Sequence, residues 1–268
     1  MIDRQYTIIT ITFNNADGLR RTLDSVRKLR YRHFELIIID GNSQDNTLEV
    51  LNDYTDIVTR IVSDNDNGIY DAMNKGISLA MGDYVVFMNA GDVFASPATL
   101  DEVNALEGDI ILGSAIYGGE LRHIPSQMSL YDVLSVGINH QSTYYRTEII
   151  KTYPFDTSYI YIADLKSVVE PMAKHSIVPT CTDKILSVCE GNGMSQQHWR
   201  ETKTERDRIV EEVIAPYYKA DYRRMVRIDN GMIDTFAVLS QFRILFPLLR
   251  LLAKLARMYN SKIKKIPL

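Results

Sequence analysis

The sequence predicts an α/β protein in which helices cover both faces of a mostly parallel sheet. Three observations support this fold class: apolar runs of strand length alternate with segments of helical spacing, short loops join them, and the first four runs each end in a polar or acidic cluster. Runs that are apolar throughout are typical of strands buried on both faces, as parallel strands usually are.

The elements follow in order along the chain. Strands are predicted at five apolar runs, residues 6–13, 34–39, 57–62, 85–88 and 109–114. Helices are predicted after the first three strands, where apolar side chains recur at helical spacing: Leu19, Leu23 and Val26; Leu48, Val50 and Leu51; Ala72, Met73, Ile77 and Ala80.

Composition sets the size and compartment of the protein. The 268 residues are 46% hydrophobic and 24% charged, which suffices for the core of one large domain or two small ones. Cys181 and Cys189 match neither a disulfide framework nor a zinc motif, as is typical of a reducing compartment. The first residues lack the basic and apolar segments of a leader, so we expect a cytoplasmic protein.

The polar clusters after the first four strands are expected to meet, because the carboxyl ends of parallel strands share one edge of a sheet. A site lined by carboxylates repels a bare phosphate, so a nucleotide bound there requires a divalent cation. No GxGxxG follows the first strand and no GxxxxGK[ST] occurs, which argues against dinucleotide and P-loop phosphate sites. A metal-bridged nucleotide remains.

The turn Asn89-Ala90-Gly91-Asp92 follows the fourth strand and ends in a carboxylate. Turns at the carboxyl ends of buried strands are where α/β sheets bind ligands, so Asp92 is a candidate metal or phosphate-side ligand. The alternative is an ordinary tight turn, because Asn, Gly and Asp favour turns for backbone reasons alone.

Four ordered blocks resemble the family-2 glycosyltransferases, over roughly residues 5 to 195. They are Thr7 to Phe13 with Asn14-Asn15, Asp40-Gly41-x-Ser43-x-Asp45-x-Thr47, Asp64-x-Asp66-x-Gly68 continuing to Ile77, and Gly82-Asp83-Tyr84. The resemblance implies a GT-A fold and an inverting transfer of sugar from a nucleotide-diphosphate donor. It is greatest to the bacterial enzymes that build O-antigen, capsule or colanic acid repeat units.

The resemblance also implies roles for the donor-side residues. Asp40 matches the acid that reads the nucleobase, usually uracil, and Thr10 lies in the strand that flanks the base. Asp71 and Lys75 match positions near the nucleotide and its diphosphate, and Asn14 completes this set.

The metal motif departs from the family pattern, which in many relatives is Asp-x-Asp. Here only its last acid, Asp92, is present, so a bound Mg²⁺ or Mn²⁺ depends on Asp92, the diphosphate oxygens and Asn89. The segment His140 to Arg146 is similar to a His-Gln strand of the bacterial subgroup. His140 then contacts the diphosphate or the acceptor; the alternative is a histidine simply held by hydrogen bonds.

Asp164 matches the family acid that opens a helix and serves as catalytic base. An inverting displacement needs such a base, because the acceptor hydroxyl loses its proton as it attacks. The alternative is a carboxylate placed there for the helix dipole. Asp156 is the second candidate for the base.

The last part of the chain differs in charge from the rest. Residues 235–268 contain seven basic side chains and no acid, which gives this segment a charge of +7. Because the whole chain has a net charge of −4, the first 234 residues carry −11. Between 236 and 258 a narrow basic stripe lies beside a broad apolar face, which predicts amphipathic C-terminal helices on an anionic membrane surface. A helix packed on protein or in a dimer interface is the alternative.

Together these features predict a nucleotide-sugar-binding half at 1–100, an acceptor-binding half at 101–225 and a basic tail at 226–268. The expected donor is a UDP-sugar and the expected acceptor a lipid-linked saccharide, at the cytoplasmic face of the membrane and without nucleic acid. A non-catalytic binding relative and a sugar-phosphate nucleotidyltransferase are the alternatives, and the oligomeric state stays open.

Overall fold

The computed structural model describes residues 3–191, 193–216 and 218–226. The chain divides into two compact units, 1–214 and 215–268. In the second unit residues 218–226 are helical. The predicted amphipathic helices and all but the first residue of the predicted tail lie outside the described residues. The division of the first unit at residue 100 into two functional halves stays a prediction.

The described residues of the first unit contain nine strands and nine α-helices. The strands are Tyr6–Thr12 (β1), Phe34–Asp40 (β2), Arg60–Ser63 (β3), Tyr84–Phe87 (β4), Val93–Phe94 (β5), Ile110–Tyr117 (β6), Glu120–Arg122 (β7), Thr143–Arg146 (β8) and Thr180–Cys189 (β9). The helices are Ala16–Arg27 (α1), Thr47–Val50 (α2), Ile69–Leu79 (α3), Thr99–Asn104 (α4), Leu130–Val136 (α5), Thr147–Thr152 (α6), Ala163–His175 (α7), Met194–Gln197 (α8) and Trp199–Val213 (α9).

All nine strands join one sheet in the order β3-β2-β1-β4-β8-β6-β9-β5, with β7 paired to β6. The prediction of a parallel sheet is correct for β1 to β4, which pair in parallel. Beyond β4 the sheet is mixed, because β8 runs antiparallel to both of its neighbours, β4 and β6. The short strand β5 and the long strand β9 were not predicted.

Helices cover both faces of the parallel half, as predicted. On one face, Leu19 and Leu23 of α1 join the apolar core that contains Ile8 of β1. On the other face, a Cβ atom on Gly76 of α3 would lie 2.5 Å from the side chain of Ile9. Glycine therefore lets α3 approach β1 closely. Each leucine or isoleucine side chain buried between the helices and the sheet adds about 1.5–3 kcal/mol to the free energy of unfolding.

The third strand was predicted to begin at Ile57 but begins at Arg60. The amides of Ile57 and Val58 both donate to the carbonyl oxygen of Tyr54, each at 3.0 Å. This helical turn uses the backbone groups that a strand would have paired, so the apolar pattern alone misplaced the start. No helix in the described part of the chain is both long enough and apolar enough to cross a membrane.

The buried carboxylate of Glu35 joins three segments at the end of the sheet where β1, β2 and β4 begin. This end is opposite to the one that carries the polar clusters. Oε1 of Glu35 on β2 accepts hydrogen bonds from Oγ1 of Thr7 at 2.6 Å and from the amides of Met81 and Gly82 at 2.6 and 3.1 Å. Glu35 is only 3% exposed. It therefore accepts from the amide of Met81 just before β4 and shares the amide of Gly82 with Oγ1 of Thr7, which lies 3.0 Å from that nitrogen.

We predict that Glu35→Leu lowers the free energy of unfolding by about 2 kcal/mol or more, because the amide of Met81 and the hydroxyl of Thr7 lose their acceptor and the amide of Gly82 loses one of its two. Urea denaturation followed by circular dichroism measures the change. Glu49→Leu on the exposed face of α2 is the matched control and should have a small effect. Equal stability of the two variants would show that Glu35 does not join these segments.

Candidate active site

The turn between β4 and β5 carries Asn89 and Asp92 and is held by α1. Gly91 has a φ of 110°, which residues with a side chain rarely adopt. Oγ1 of the buried Thr22 donates to the carbonyl oxygen of Asp92 at 2.7 Å and accepts from the amide of Gly91 at 3.0 Å. The backbone that presents both candidate side chains is therefore fixed from a neighbouring helix.

The side chain of Asp92 is part-buried. Nε2 of Gln141 donates to its Oδ2 at 2.7 Å. Burial raises the pKa of Asp92, and the bond from Gln141 and the nearby His140 only partly oppose that rise. Within the described structure, Oδ1 of Asn89 is also buried and has no hydrogen-bond partner. A cation between these two side chains would stabilise the ionised carboxylate and satisfy the amide oxygen.

The oxygen donors at this turn fit a divalent cation only together with a ligand. Among the residues that the structure describes, no group of three or more His, Cys, Asp or Glu side chains could hold a metal ion. Mg²⁺ commonly takes one or two carboxylates and completes its shell with phosphate oxygens and waters. Asp92 and Asn89 therefore suit a cation that is shared with a diphosphate.

His140 connects Asp164 to Asn89 through its two ring nitrogens. Nδ1 lies 3.0 Å from Oδ2 of Asp164, and Nε2 lies 3.0 Å from Nδ2 of Asn89. Because a carboxylate only accepts, this geometry assigns the hydrogen to Nδ1, and Nε2 then accepts from the amide of Asn89. The side chains of His140 and Asp164 are 14% and 13% exposed. In this structure His140 is therefore held in place by hydrogen bonds at both ring nitrogens, and its contact with a diphosphate or an acceptor stays a prediction.

Asp164 stands in the first turn of α7, where the helix dipole favours a negative charge. Its Oδ1 accepts from the hydroxyl of Tyr70 at 3.2 Å and from the amide of Leu165 at 2.9 Å. Burial, and secondly the charge of Asp164, raise the pKa of Tyr70 well above its usual range. Tyr70 therefore stays a hydrogen-bond donor to the carboxylate at physiological pH.

Glu205 of α9 holds the segment that leads into α7. Its carboxylate accepts from three consecutive backbone amides, those of residues 160, 161 and 162, at 2.6, 3.0 and 3.1 Å. These amides lie immediately before the helix on which Asp164 stands. One side chain, distant in sequence, therefore fixes the approach to Asp164.

Asp156, the second candidate for the base, belongs to an ion-pair network. Nζ of Lys166 lies 2.6 Å from Asp156 and 3.0 Å from Glu212. Burial opposes ionisation of Asp156, but the hydrogen bonds from Lys166 and Ser158 outweigh it and lower its pKa to about 2. A carboxylate with so low a pKa is a weak proton acceptor, which favours Asp164 over Asp156.

A cleft of about 440 Å³ brings four of the predicted residues together: Asn89, Asp92, His140 and Asp164. They come from the turn after β4, the segment before β8 and the start of α7. The other predicted residues do not line this cleft; they are Thr10, Asn14, Asp40, Asp71 and Lys75.

Asp40 lies at the end of β2 with no exposed surface. Its carboxylate accepts from the backbone amide of Ser43 at 3.0 Å and from the hydroxyl of Ser63 at 2.6 Å. Thr10 is also fully buried, and its hydroxyl has no partner in the described structure. In this structure Asp40 therefore shapes the loop that follows β2, and its contact with a base stays a prediction, as does that of Thr10.

The remaining donor-side residues lie at the same sheet edge, Asn14 on the exposed loop after β1 and Asp71 and Lys75 in α3. Oδ1 of Asn14 accepts from the amide of Gln44 at 2.7 Å, which ties the loop after β1 to the loop after β2. Asp71 accepts from the amide of Asn67 at 2.9 Å, and Nζ of Lys75 lies 3.8 Å from Asp71. Their roles toward a nucleotide stay predictions.

Phe13 is a residue of this edge that sequence reasoning treated only as the end of a strand. Its side chain is 61% exposed. A Cβ atom on Gly41 would lie 3.2 Å from the ring of Phe13 and 2.7 Å from the carboxylate of Asp66. An exposed ring beside a glycine and a carboxylate offers a flat base both a stacking surface and a hydrogen-bond acceptor. An apolar residue directly before Asn14 was the available signal.

Residues 7–163 match the model of glycosyl transferase family 2. The chain belongs to this family. A PGL/p-HBAD biosynthesis glycosyltransferase of Mycobacterium bovis is 31% identical over 169 residues, which cover 59% of this chain and 66% of that protein. The match therefore spans just under two thirds of that relative's length.

Two solved structures support the fold of this family-2 chain. S. aureus TarS 1-349 in complex with UDP-GlcNAc gives a TM-score of 0.61 at 15% identity, covering 81% of this chain and 70% of that one. The mannosyltransferase PcManGT from Pyrobaculum calidifontis, in complex with GDP-Man and Mn²⁺, gives 0.65 at 16% identity, covering 95% and 80%. These likenesses confirm the predicted GT-A fold.

The family match ends one residue before Asp164, so α9 and its Glu205 lie beyond it. Sequence reasoning missed Glu205, because no local pattern links it to residues 160–162. Gln141 and Tyr70 were inside recognised motifs but were not selected. Their hydrogen bonds to Asp92 and Asp164 depend on contacts between distant segments.

We predict that Glu205→Ala speeds hydrogen exchange of the amides at 160–162 by about tenfold or more, because all three lose their acceptor. Exchange measured by mass spectrometry on the full chain tests this. Glu201→Ala, an exposed acid of the same helix, should leave these amides unchanged. Unchanged exchange in the Glu205 variant would show that the carboxylate does not hold this segment.

The Lys166 network predicts a dependence of stability on acid pH. Burial opposes ionisation of Glu212, but hydrogen bonds from Arg208, Lys166 and Tyr159 lower its pKa to about 2, like that of Asp156. Because unfolded carboxyls titrate near pH 4, this stabilisation is complete above about pH 4 and is lost as the pH falls to about 2.

The double variant Asp156→Asn, Glu212→Gln should therefore be less stable than the wild type at pH 7 and should lose less stability between pH 4 and pH 2.5. Urea denaturation at pH 7, 4 and 2.5 measures both differences. Asp183→Asn, on an exposed part of β9, is the control. Parallel pH profiles for wild type and double variant would contradict the role of the network.

Proposed function

We propose that this family-2 chain is an inverting glycosyltransferase that moves a sugar from a nucleotide-diphosphate donor to a saccharide acceptor. The observation that carries the proposal is the pairing of Asp164 with His140 in the cleft that Asp92 and Asn89 also line. One carboxylate is then available for a proton and a second for a cation, at neighbouring places in one cleft.

Asp164 acts as the general base in this proposal. The acceptor oxygen forms a bond to the anomeric carbon while the bond from that carbon to the diphosphate oxygen breaks, and the hydroxyl proton passes to Asp164. Tyr70 and His140 hold the carboxylate by donating one hydrogen bond to each of its oxygens. Fixing the base in this way reduces the reorganisation needed in the transition state.

Asp92 and Asn89 serve the diphosphate side. When bound there, Mg²⁺ or Mn²⁺ would offset the negative charge that develops on the leaving diphosphate. Asp92 supplies the charge that attracts the cation, and the unpaired oxygen of Asn89 is a second donor. The complex of PcManGT with both GDP-Man and Mn²⁺ supports a divalent cation for this fold.

The donor in this proposal is a UDP-sugar, read by Asp40 and stacked on Phe13 at the edge of β1 and β2. Asn14 on the adjoining loop and Asp71 and Lys75 in α3 surround the nucleotide, and Thr10 lies in the strand that flanks the base. The TarS complex with UDP-GlcNAc supports a uridine donor, although PcManGT, which shares the fold, is in complex with a guanosine donor.

The acceptor in this proposal is a lipid-linked saccharide of bacterial cell-surface polysaccharide, such as O-antigen or capsule. The mycobacterial relative is named for PGL/p-HBAD biosynthesis, which supports a role in a biosynthetic pathway. The seven basic side chains at 235–268, in the basic tail, would bring the enzyme to the cytoplasmic face of the membrane by attraction to anionic lipid.

We predict that Asp164→Asn slows sugar transfer by about 10²-fold or more while nucleotide binding is retained, because only proton removal is lost. Asp92→Ala should instead abolish the donor turnover that depends on added Mg²⁺ or Mn²⁺, while the protein stays folded. Release of nucleotide from a panel of nucleotide sugars, together with calorimetry of UDP binding, provides both measurements.

Asp156→Asn is the matched control, because Asp156 was the other candidate base and its carboxylate forms an ion pair with Lys166. It should retain transfer at close to the wild-type rate. Loss of transfer in the Asp156 variant with full transfer in the Asp164 variant would reverse the assignment. A wild-type protein that neither binds UDP nor turns over any donor would overturn the proposed function.

A further inference from the structure

The cleft that contains Asp164 also has a basic wall. Arg122 of β7, His123 beside it and Arg206 of α9 all line the cleft. Arg122 and Arg206 belong to elements on different parts of the chain, so the fold brings two guanidinium groups to one cavity. The proposed transfer reaction, as described above, uses neither of them.

The acids of the cleft already have their own partners. Asp164 is bonded to His140, Asp92 to Gln141, and Glu190 forms an ion pair with Arg21 of α1. Across residues 3–191, 193–216 and 218–226, no carboxylate lies within ion-pair distance of Arg122 or Arg206. The two arginines therefore contribute positive charge that the described protein does not neutralise.

The contacts of Arg206 show how its side chain is held. Nη1 donates to the carbonyl oxygen of Ser135 at 3.1 Å, and Nε is buried without a partner in the described structure. Arg122 lies with its guanidinium 5.9 Å from the centre of the Tyr117 ring. Guanidinium groups bind phosphate with paired hydrogen bonds. A part-buried guanidinium group has lost part of its contact with water, and a bound anion would compensate for that loss.

Apolar side chains border this basic wall. Val136, at the end of α5, is 62% exposed and Ile160 is 58% exposed, and both line the cleft together with Ile138. Gly137 lies between Val136 and Ile138, with the position of its missing Cβ 3.9 Å from Nη2 of Arg206. Positive charge and exposed apolar surface thus adjoin each other, which suits an anion attached to an apolar group.

We propose that Arg122 and Arg206 bind a phosphate group of the acceptor, and that an apolar chain on that phosphate packs against Val136 and Ile160. This inference rests on the proposed function, because it assigns the basic wall to the molecule that approaches Asp164. The diphosphate of the donor is assigned to the turn at Asn89 and Asp92 instead. The substrate class is therefore a phosphate-bearing, amphipathic acceptor.

Ligand-observed NMR titration of the full chain tests the inference with three small probes: hexyl phosphate, inorganic phosphate and the uncharged hexyl glucoside. The variants are Arg122→Gln with Arg206→Gln, and Arg200→Gln as the matched control. Arg200 is an exposed arginine of the same helix that does not line the cleft. UDP binding is measured for each protein by calorimetry.

We expect hexyl phosphate to bind the wild type more tightly than either other probe, and to bind the double variant about tenfold more weakly. The Arg200 variant should match the wild type, and UDP affinity should be the same in all three proteins.

Equal binding of hexyl phosphate to the double variant would overturn the inference. So would wild-type binding of inorganic phosphate as tight as that of hexyl phosphate, or a matching loss of UDP affinity, which would assign the arginines to the donor. Absence of UDP binding in the wild type would instead count against the proposed function, while the hexyl phosphate result would still decide the phosphate site.

Discussion

The antiparallel pairing of β8 with β4 is the constraint on which the candidate site depends. Its register sets Val86 opposite Tyr144 and Val85 opposite Tyr145. In an antiparallel pair the end of one strand lies beside the start of the other. The residues just before β8, among them His140 and Gln141, are therefore brought alongside the turn that follows β4. A parallel β8 would have carried them to the opposite edge of the sheet.

This constraint also explains how much could be predicted from the sequence. Asp92 and Asn89 follow a buried strand directly, so a local pattern was enough to select them. Asp164 was selected through the family resemblance, which supplies long-range information that a local pattern lacks. The bond between His140 and Asn89 depends on the register of β8 and was not foreseen. The start of the third strand was misplaced for a different reason, since apolar residues fit a helical turn as well as a strand.

The distribution of partners among the acids gives each carboxylate a different chemistry. Asp156 faces an ammonium group and is held ionised to low pH. Asp40 is enclosed by serine hydroxyls and organises a loop. Asp92 is part-buried with a single amide donor from a side chain, which leaves its charge only partly compensated. Sequence alone presents these as equivalent aspartates after strands or before helices, because their differences arise from neighbours that are remote along the chain.

The hydrogen bonds from the amides of residues 160–162 to Glu205 affect how segments can be exchanged between members of this family. The segment approaching Asp164 lies inside the region shared across the family, whereas its anchor lies on a helix outside that region. A chimera joined at the family boundary would combine one protein's loop with another protein's helix, and the three amides would meet whatever side chain the new helix offers. Exchange of acceptor-side segments between relatives is therefore expected to succeed when the loop and α9 are transferred as one unit.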